Sequence, residues 1–436
     1  MKKMMSGDNN AKLQSLTTLA LDYRGVLEIR ITPNWLRATL GQLARLPDFL
    51  GGAKFTRFHD VLPPTFVLIA DPGITRDILL NTKDYIRPYG EMADIIGEHS
   101  LFVQDDSQAE EHESWKLSHK AMVGAFTPQF IHKNYQPIIR DELDRMDQRW
   151  QRKLDGAEKN TISVQEDLDV FAIRTGFRAF LQADLSDEQS LELRPVFANV
   201  LKRVDHQAER GHLLALIQPL VNQRRDAQSG DSLVDRLLLA QKEHGLPDEW
   251  VWDQLITVLF AAQETTRYAL SMTLVELGRN SDWQIYLQRE QRNDHAEAFV
   301  KEVLRLYPPV PMIPRVTNQA VTAGGYKFAA NNILQILPRA QHLNPEVWGH
   351  DAIQFRPRRF LSTEVDKYAL CPFGGGMRLC LGMAMAMTEL KMFVLDVARR
   401  WDVYGPNETP QINMGPGVMT LGEPLVIKLK RRTEER

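Results

Sequence analysis

The sequence predicts a mostly α-helical fold with a minor β-sheet part, folded as a single large domain around a long central helix. Three observations predict it. Helical hydrophobic periodicity runs through most of the 436 residues. One segment, Pro247 to Leu277, sustains that periodicity for about 30 residues, roughly 45 Å at 1.5 Å per residue. Strand signals are few and lie toward the two ends of the chain. Apolar residues make up 43% and charged residues 25%, as in an ordinary globular protein. A formal net charge of −3 gives no ground for an obligate nucleic-acid partner.

Met1-Lys2-Lys3 could open a leader, but the nearest apolar stretch, Leu16 to Leu21, runs into Asp22 and Arg24. No window offers the ~20 apolar residues a membrane span needs, so a cytoplasmic protein without a span is expected. Residues 1–35 read as a variable N-terminal arm and 36–436 as one domain. Thr65 to Ala70 is a compact apolar run between Pro63-Pro64 and Asp71-Pro72-Gly73, hence a strand. Helical patterns follow at Gln136–Leu154, Gln165–Leu181, Ser190–Val204 and Leu213–Arg225. The central helix opens on Pro247-Asp248-Glu249, a proline and two acids at the positive dipole end, and Gly278 is its expected stop. Further strands are expected at Ile333–Leu337 and Leu425–Leu429, and a helix at Met383–Arg400 whose Met383, Met385 and Met387 serve packing.

The two cysteines, Cys371 and Cys380, are too few for a disulfide framework and suit a reducing compartment. The second lies in Phe373-Gly374-Gly375-Gly376-Met377-Arg378-Leu379-Cys380-Leu381-Gly382, just before the helix at Met383. An iron–thiolate site needs a sulfur that stays deprotonated, which N–H dipoles at a helix N-terminus favour. It needs backbone passing close under a flat macrocycle, which favours glycine. N–H groups aimed at the sulfur tune the iron, and an adjacent arginine neutralises an acidic edge of the cofactor. The segment supplies each of these. Glycines and one cysteine alone would equally describe a turn with an inert buried thiol; the ten-residue pattern is more specific.

That pattern resembles the cytochrome P-450 family signature, Phe-x-x-Gly-x-Arg-x-Cys-x-Gly, at each fixed position: Phe373, Gly376, Arg378, Cys380 and Gly382. The resemblance implies the cytochrome P-450 fold, with heme b between the central helix and the cysteine loop. It implies Cys380 as thiolate axial ligand, Arg378 on a haem propionate and Phe373 shielding the sulfur. Cys371 lies outside the pattern and reads as a small buried hydrophobe. Other matches, in family order, extend the resemblance from about Thr65 to Ile427. Glu302 and Arg305 resemble the family's Glu-x-x-Arg pair, and Arg359 the third member of that buried structural cluster; alone, such a pair would be ordinary surface. Trp115 and His119, four apart, and Arg315 resemble its propionate contacts. In the central helix, Glu264-Thr265 resembles its catalytic acid–threonine pair, a hydroxyl that can hold water and a carboxylate that relays protons. Without that context Glu-Thr-Thr in a helix carries no signal. The family usually has glycine where this chain has Ala262, so a smaller helix opening or a narrower space over the iron is expected.

The implied activity is that of a haem-thiolate monooxygenase, inserting one oxygen atom from dioxygen into a hydrophobic small molecule by hydroxylation or epoxidation. By analogy the substrate faces Ile96, Leu101, Phe102, Ala261, Ala262, Val310, Met312 and Met419, mostly apolar. The segment from Leu185 to Arg224 is short for the family's lid helices, which suggests a reduced lid and a large or carrier-tethered substrate. No second glycine-rich fingerprint and no spare cysteine group are present, so electrons are expected from a separate ferredoxin or flavodoxin and its reductase. Lys116, Lys120 and Arg356 could dock that partner or could be merely solvated. Secondary-metabolite or xenobiotic oxidation is a family-level expectation. Two other readings stand beside this one. A peroxygenase or a haem-dependent rearrangement or coupling enzyme often lacks the acid–threonine pair, which is intact here. A non-catalytic haem sensor would have no use for relay residues over an apolar pocket.

Overall fold

In the computed structural model the described residues are 26–30, 65–155, 160–202, 206–227, 230–362, 365–406, 408, 410–414 and 417–432. Strands β1 (Val26–Arg30) and β2 (Thr65–Ile69) lead into α1 (Pro72–Leu80). Asp71 caps α1 by accepting the Ile74 N–H at 2.8 Å, and Pro72 sets its first turn. Next come β3 (Tyr85–Ile86), the single-turn α2 (Ala93–Ile96) and α3 (Ala109–Val123). The helical body follows with α4 (Gln136–Leu154), the short β4 (Thr161–Ser163), α5 (Gln165–Leu181), α6 (Asp187–Lys202) and α7 (His206–Ala227). It continues through α8 (Leu233–His244), α9 (Asp248–Arg279), α10 (Ser281–Glu290) and α11 (Asn293–Leu306). A Ser232/Asp235 capping box starts α8, and Gly245 in the left-handed region ends it.

Strands β5 (Ile313–Thr317), β6 (Val321–Ala323), β7 (Tyr326–Phe328) and β8 (Ile333–Ile336) precede α12 (Pro338–His342) and α13 (Met383–Arg400). The chain closes with β9 (Trp401–Tyr404), β10 (Ile412–Met414), β11 (Met419–Leu421) and β12 (Val426–Arg431). The largest sheet runs β1-β2-β8-β5-β3, parallel only between β2 and β8. Its edge strand β1 falls within the expected N-terminal arm, and the rest of 1–35 lies outside the described residues. A second sheet, β4-β12-β9, joins the middle of the chain to its end. The main apolar core gathers residues from Ile95 to Leu429. A smaller cluster, including Val67, Ile78, Leu334 and Tyr368, lies beneath the large sheet.

The central helix, α9, has 32 residues, about 48 Å at 1.5 Å per residue. Pro247 stands at its N-cap, with Asp248 and Glu249 in the first turn as expected. Gly278 does not stop it; the helix runs on to Arg279. A Cβ on Gly278 would sit 2.1 Å from the backbone nitrogen of Gly405, so this glycine lets the chain after β9 cross α9 backbone to backbone. The stretch where a reduced lid is expected folds as α6 and α7. Helices α6 and α7 have 16 and 22 residues, both longer than their sequence patterns, and the link at 203–205 lies outside the described residues.

Candidate active site

The loop before α13 is shaped by glycine. Gly374 and Gly376 adopt φ of +73° and +65°, and a Cβ on Gly376 would lie 2.0 Å from the Leu79 carbonyl oxygen. The turn closes where the Cys380 N–H donates to the Phe373 carbonyl at 3.0 Å. Two N–H groups, from Gly382 and Met383 at the start of α13, act on the Cys380 thiol and favour its thiolate, while burial raises its pKa, with a net upward shift. The residue is nevertheless exposed by surface area, as are Met377 and Leu379. Deep enclosure and an open face hold together when that face looks onto an interior space.

Helix α9 shows the same signature. Leu255 to Leu259 and Thr266 to Leu277 are largely buried, yet Ala261 is exposed and Phe260, Ala262 and Thr265 are half-buried. An accessible notch in an otherwise buried helix must open inward. The helix ladder there is unbroken, and the Thr265 hydroxyl donates back to the Ala261 carbonyl at 2.8 Å. Glu264 is buried and ion-paired with Arg267. Arg267 also reaches Asp169 on α5 at 3.1 Å, and Asp169 meets Arg194 on α6 at 2.9 Å. Burial pushes the Asp169 carboxyl up to about 7, against the pull of Arg267 and Arg194.

Arginines gather beside the cysteine loop. Arg378 makes a two-point ion pair with Asp106, Nε at 2.7 Å and Nη2 at 2.5 Å, and its guanidinium lies 4.3 Å over the Trp115 ring. Trp115 packs on His119 with ring centroids 4.9 Å apart, and burial, then Arg378, lowers the His119 pKa. Arg315 is buried with Nη1 donating to the Pro314 carbonyl at 2.8 Å. Arg87 has a comparable environment that no motif announced: it is buried, donates to the Gln104 carbonyl at 3.0 Å, and its Nε finds no partner. Burial first, then Arg378 and Arg315, pushes Arg87 down to about 9. Only the lone arginine before Pro88, just after a short strand, hints at it in the sequence, and that is no signal.

Glu302, Arg305 and Arg359 form one buried cluster. Arg305 grips Glu302 at 2.7 and 2.8 Å, and Arg359 reaches the same carboxylate at 3.1 Å. The remaining Arg305 donors go to the carbonyls of His342 at 2.8 Å, Gln354 at 3.0 Å, and Ala352. The His342 ring ties this cluster to the cysteine loop: Nδ1 meets the Arg305 carbonyl at 3.1 Å, and Nε2 accepts the Cys371 N–H at 2.9 Å. Cys371 is buried, which pushes its thiol up to about 12.

Of the expected pocket residues, Ile96 and Met419 are buried in the main core, with Leu101, Phe102 and Ala262 packed partly against it. Val310 is half-buried. Met312, the residue before β5, is buried and packs with Ala70, Leu337 and Ala340 in a separate cluster.

The chain thus pairs a long buried helix, accessible at its middle, with a cysteine placed just before the start of a second helix. A cytochrome P-450 family model matches residues 203–429, and the chain belongs to the cytochrome P-450 family. It is 26% identical over 425 residues to a Mycobacterium tuberculosis protein described as cytochrome P-450 137, covering 87% of this chain and 86% of that one. A cyclooctat-9-en-7-ol 5-monooxygenase of Streptomyces melanosporofaciens is 25% identical over 386 residues, 78% of this chain and 80% of the relative. A bifunctional cytochrome P-450/NADPH–P-450 reductase of Bacillus subtilis is 24% identical over 66% of this chain, which spans 31% of that longer protein. The protein is thus an oxidoreductase of the haem-thiolate monooxygenase class. The residues present fit such a cofactor. Arg87 and Arg315 are buried and donate to backbone carbonyls, and Arg87 Nε is unmatched, so acidic groups at a macrocycle edge would find donors there. No described helix is long and apolar enough to cross a membrane.

Proposed function

We propose that Cys380 is the thiolate ligand of a haem b whose propionates are held by Arg87, Arg315, Arg378 and His119, with Trp115 stacked alongside. The chain would insert one oxygen atom from dioxygen into a hydrophobic small molecule, by hydroxylation or epoxidation. The observation that carries this reading is the pair of N–H groups, Gly382 and Met383, acting on a thiol that is enclosed yet open on one face. When bound, the haem supplies dioxygen binding and its reductive splitting, with electrons from a ferredoxin or flavodoxin and its reductase.

The chain's own residues supply position, dryness and protons. The Gly382 and Met383 N–H groups offset part of the cost of holding the Cys380 sulfur as thiolate. Leu101, Phe102, Ala262 and Met419 wall the substrate side with apolar surface and exclude water, with Ile96 packed behind them. The Thr265 hydroxyl, back-bonded to Ala261, turns from that carbonyl to hold a water on the notch side of α9. Glu264, held by Arg267 in the Arg267–Asp169–Arg194 ion-pair network, is the carboxylate that relays protons toward Thr265. Ala262 keeps the helix ladder closed where a glycine would loosen it. Glu302, Arg305 and Arg359 fix the backbone behind the cysteine loop without touching substrate.

The test is the absorbance difference spectrum of the dithionite-reduced protein with carbon monoxide. A Soret band at the wavelength that gives the family its name is expected for the wild type and is lost in Cys380→Ser. A shorter-wavelength band from intact wild-type protein overturns thiolate ligation, and no haem signal overturns the whole reading.

A further inference from the structure

The loop from Gly97 to Gln104, which carries Leu101 and Phe102, is held at both ends by hydrogen bonds. At its start it is zipped to the first turns of α9. The His99 N–H donates to Asp253 Oδ2 at 3.0 Å, and the Leu101 N–H to Gln254 Oε1 at 3.1 Å. Gln254 Nε2 returns to the His99 carbonyl, and the Thr257 and Ser100 hydroxyls meet at 2.6 Å. The fit is close: Gly97 has φ of +93°, and a Cβ there would lie 1.9 Å from the Asp253 carboxyl carbon. At its far end the loop is fastened to Arg378, which donates to the Leu101 and Gln104 carbonyls at 3.0 and 2.9 Å.

The lid helix α7 enters the same node. Arg210 Nη2 sits 2.5 Å from Asp253 Oδ1, while Nη1 donates to the Ile95 carbonyl, the turn before Gly97, at 3.0 Å. One carboxylate, 2% exposed, therefore joins three segments: central helix, pocket-wall loop and lid. A charge this buried is held only if its partners stay in place, so separating α7 from the loop exposes or strands it. The geometry needs both halves of the guanidinium, and a lysine could not reach both acceptors at once.

We infer that Asp253 and Arg210 form a latch that fastens the lid helix and the 97–104 loop to the central helix, making Asp253 a positioning residue that sets how substrates enter. The inference rests on the reading above that Leu101, Phe102 and Ala262 wall the substrate pocket. Opening α7 breaks the ion pair and frees the Ile95 carbonyl in one movement, so lid and wall move together.

The test uses two full-length variants. Asp253→Asn keeps an acceptor for the His99 N–H and loses the charge pair; Arg210→Met keeps the bulk and loses both donors. The probe is 4-phenylimidazole, which ligates ferric haem, followed by stopped flow. Each variant is expected to raise its association and dissociation rates together by roughly tenfold, with the double variant no faster than either single one. Amide hydrogen exchange is expected to rise across 93–104 and the start of α7, and to stay unchanged across 371–383, with the carbon monoxide band retained. Unchanged exchange in 93–104 in both variants overturns the latch, as do additive rate effects in the double variant. A chain that gives no haem band fails the earlier reading, yet its exchange map still decides the latch.

Discussion

At the scale of single residues, the site is governed by what burial does to charge. Glu389 on α13 is 5% exposed, and burial pushes its carboxyl up to about 8 from an ordinary 4.5. The folded chain thus keeps a proton that the unfolded chain has lost, so stability falls as pH rises from about 4.5 to about 8. Glu389→Gln removes this slope. Urea denaturation at about pH 5 and about pH 8.5 should find the variant gaining on the wild type at the higher pH, by on the order of a few kcal/mol. An equal difference at both values would contradict it. Thr265→Val tests the relay hydroxyl. Product formed per dioxygen consumed should fall by roughly ten- to a hundredfold with the carbon monoxide band retained, and undiminished coupling would remove Thr265 from the proton path.

At the scale of elements, Gly278 is where one helix accommodates another piece of chain. Gly278→Ala would push a Cβ into the Gly405 backbone, and a loss of about 1–3 kcal/mol is expected in thermal or urea unfolding. The same glycine marks the limit of what is legible in a sequence. Helices α4, α5 and α13 could be read to their end residues because an apolar stripe keeps its period until the polar flank begins. The reach of α9 could not be read at Gly278, since a glycine that ends a helix and a glycine that admits a neighbour look alike until the neighbour is seen. The same holds for the site. Cys380, Arg378 and Gly376 lie within one short segment and announce themselves together. Arg87, set beside Arg315 and Arg378, and the close approach of Gly97 to Asp253 depend on neighbours far along the chain, and no local spacing encodes them.

At the scale of the whole molecule, the proposed reaction has electrons reaching the cysteine side from a separate partner. Lys120 is exposed on α3, the helix that carries Trp115 and His119. Lys116 nearby is tied to Glu113 at 2.7 Å, and Arg356 to Asp351 at 2.6 Å, which leaves each of them partly neutralised. Lys120→Glu should therefore slow reduction by an acidic ferredoxin severalfold at low ionic strength, with the difference shrinking as salt rises. Binding of 4-phenylimidazole should not change. Equal reduction rates for the two proteins would place docking elsewhere.

Arg305 has a consequence for how this chain can change over generations. Its guanidinium satisfies acceptors from Glu302, His342, Ala352 and Gln354. Lysine offers its donors from a single point and cannot span them, and no other side chain comes nearer. A neighbour that drifts alone leaves the arginine with an unmet demand, and an arginine that drifts alone strands four neighbours. Only simultaneous replacements could pass, and those are rare. The walls of the pocket can be rewritten one residue at a time, while this knot behind them must be inherited whole, so new substrates are to be sought by altering the walls and leaving the knot untouched.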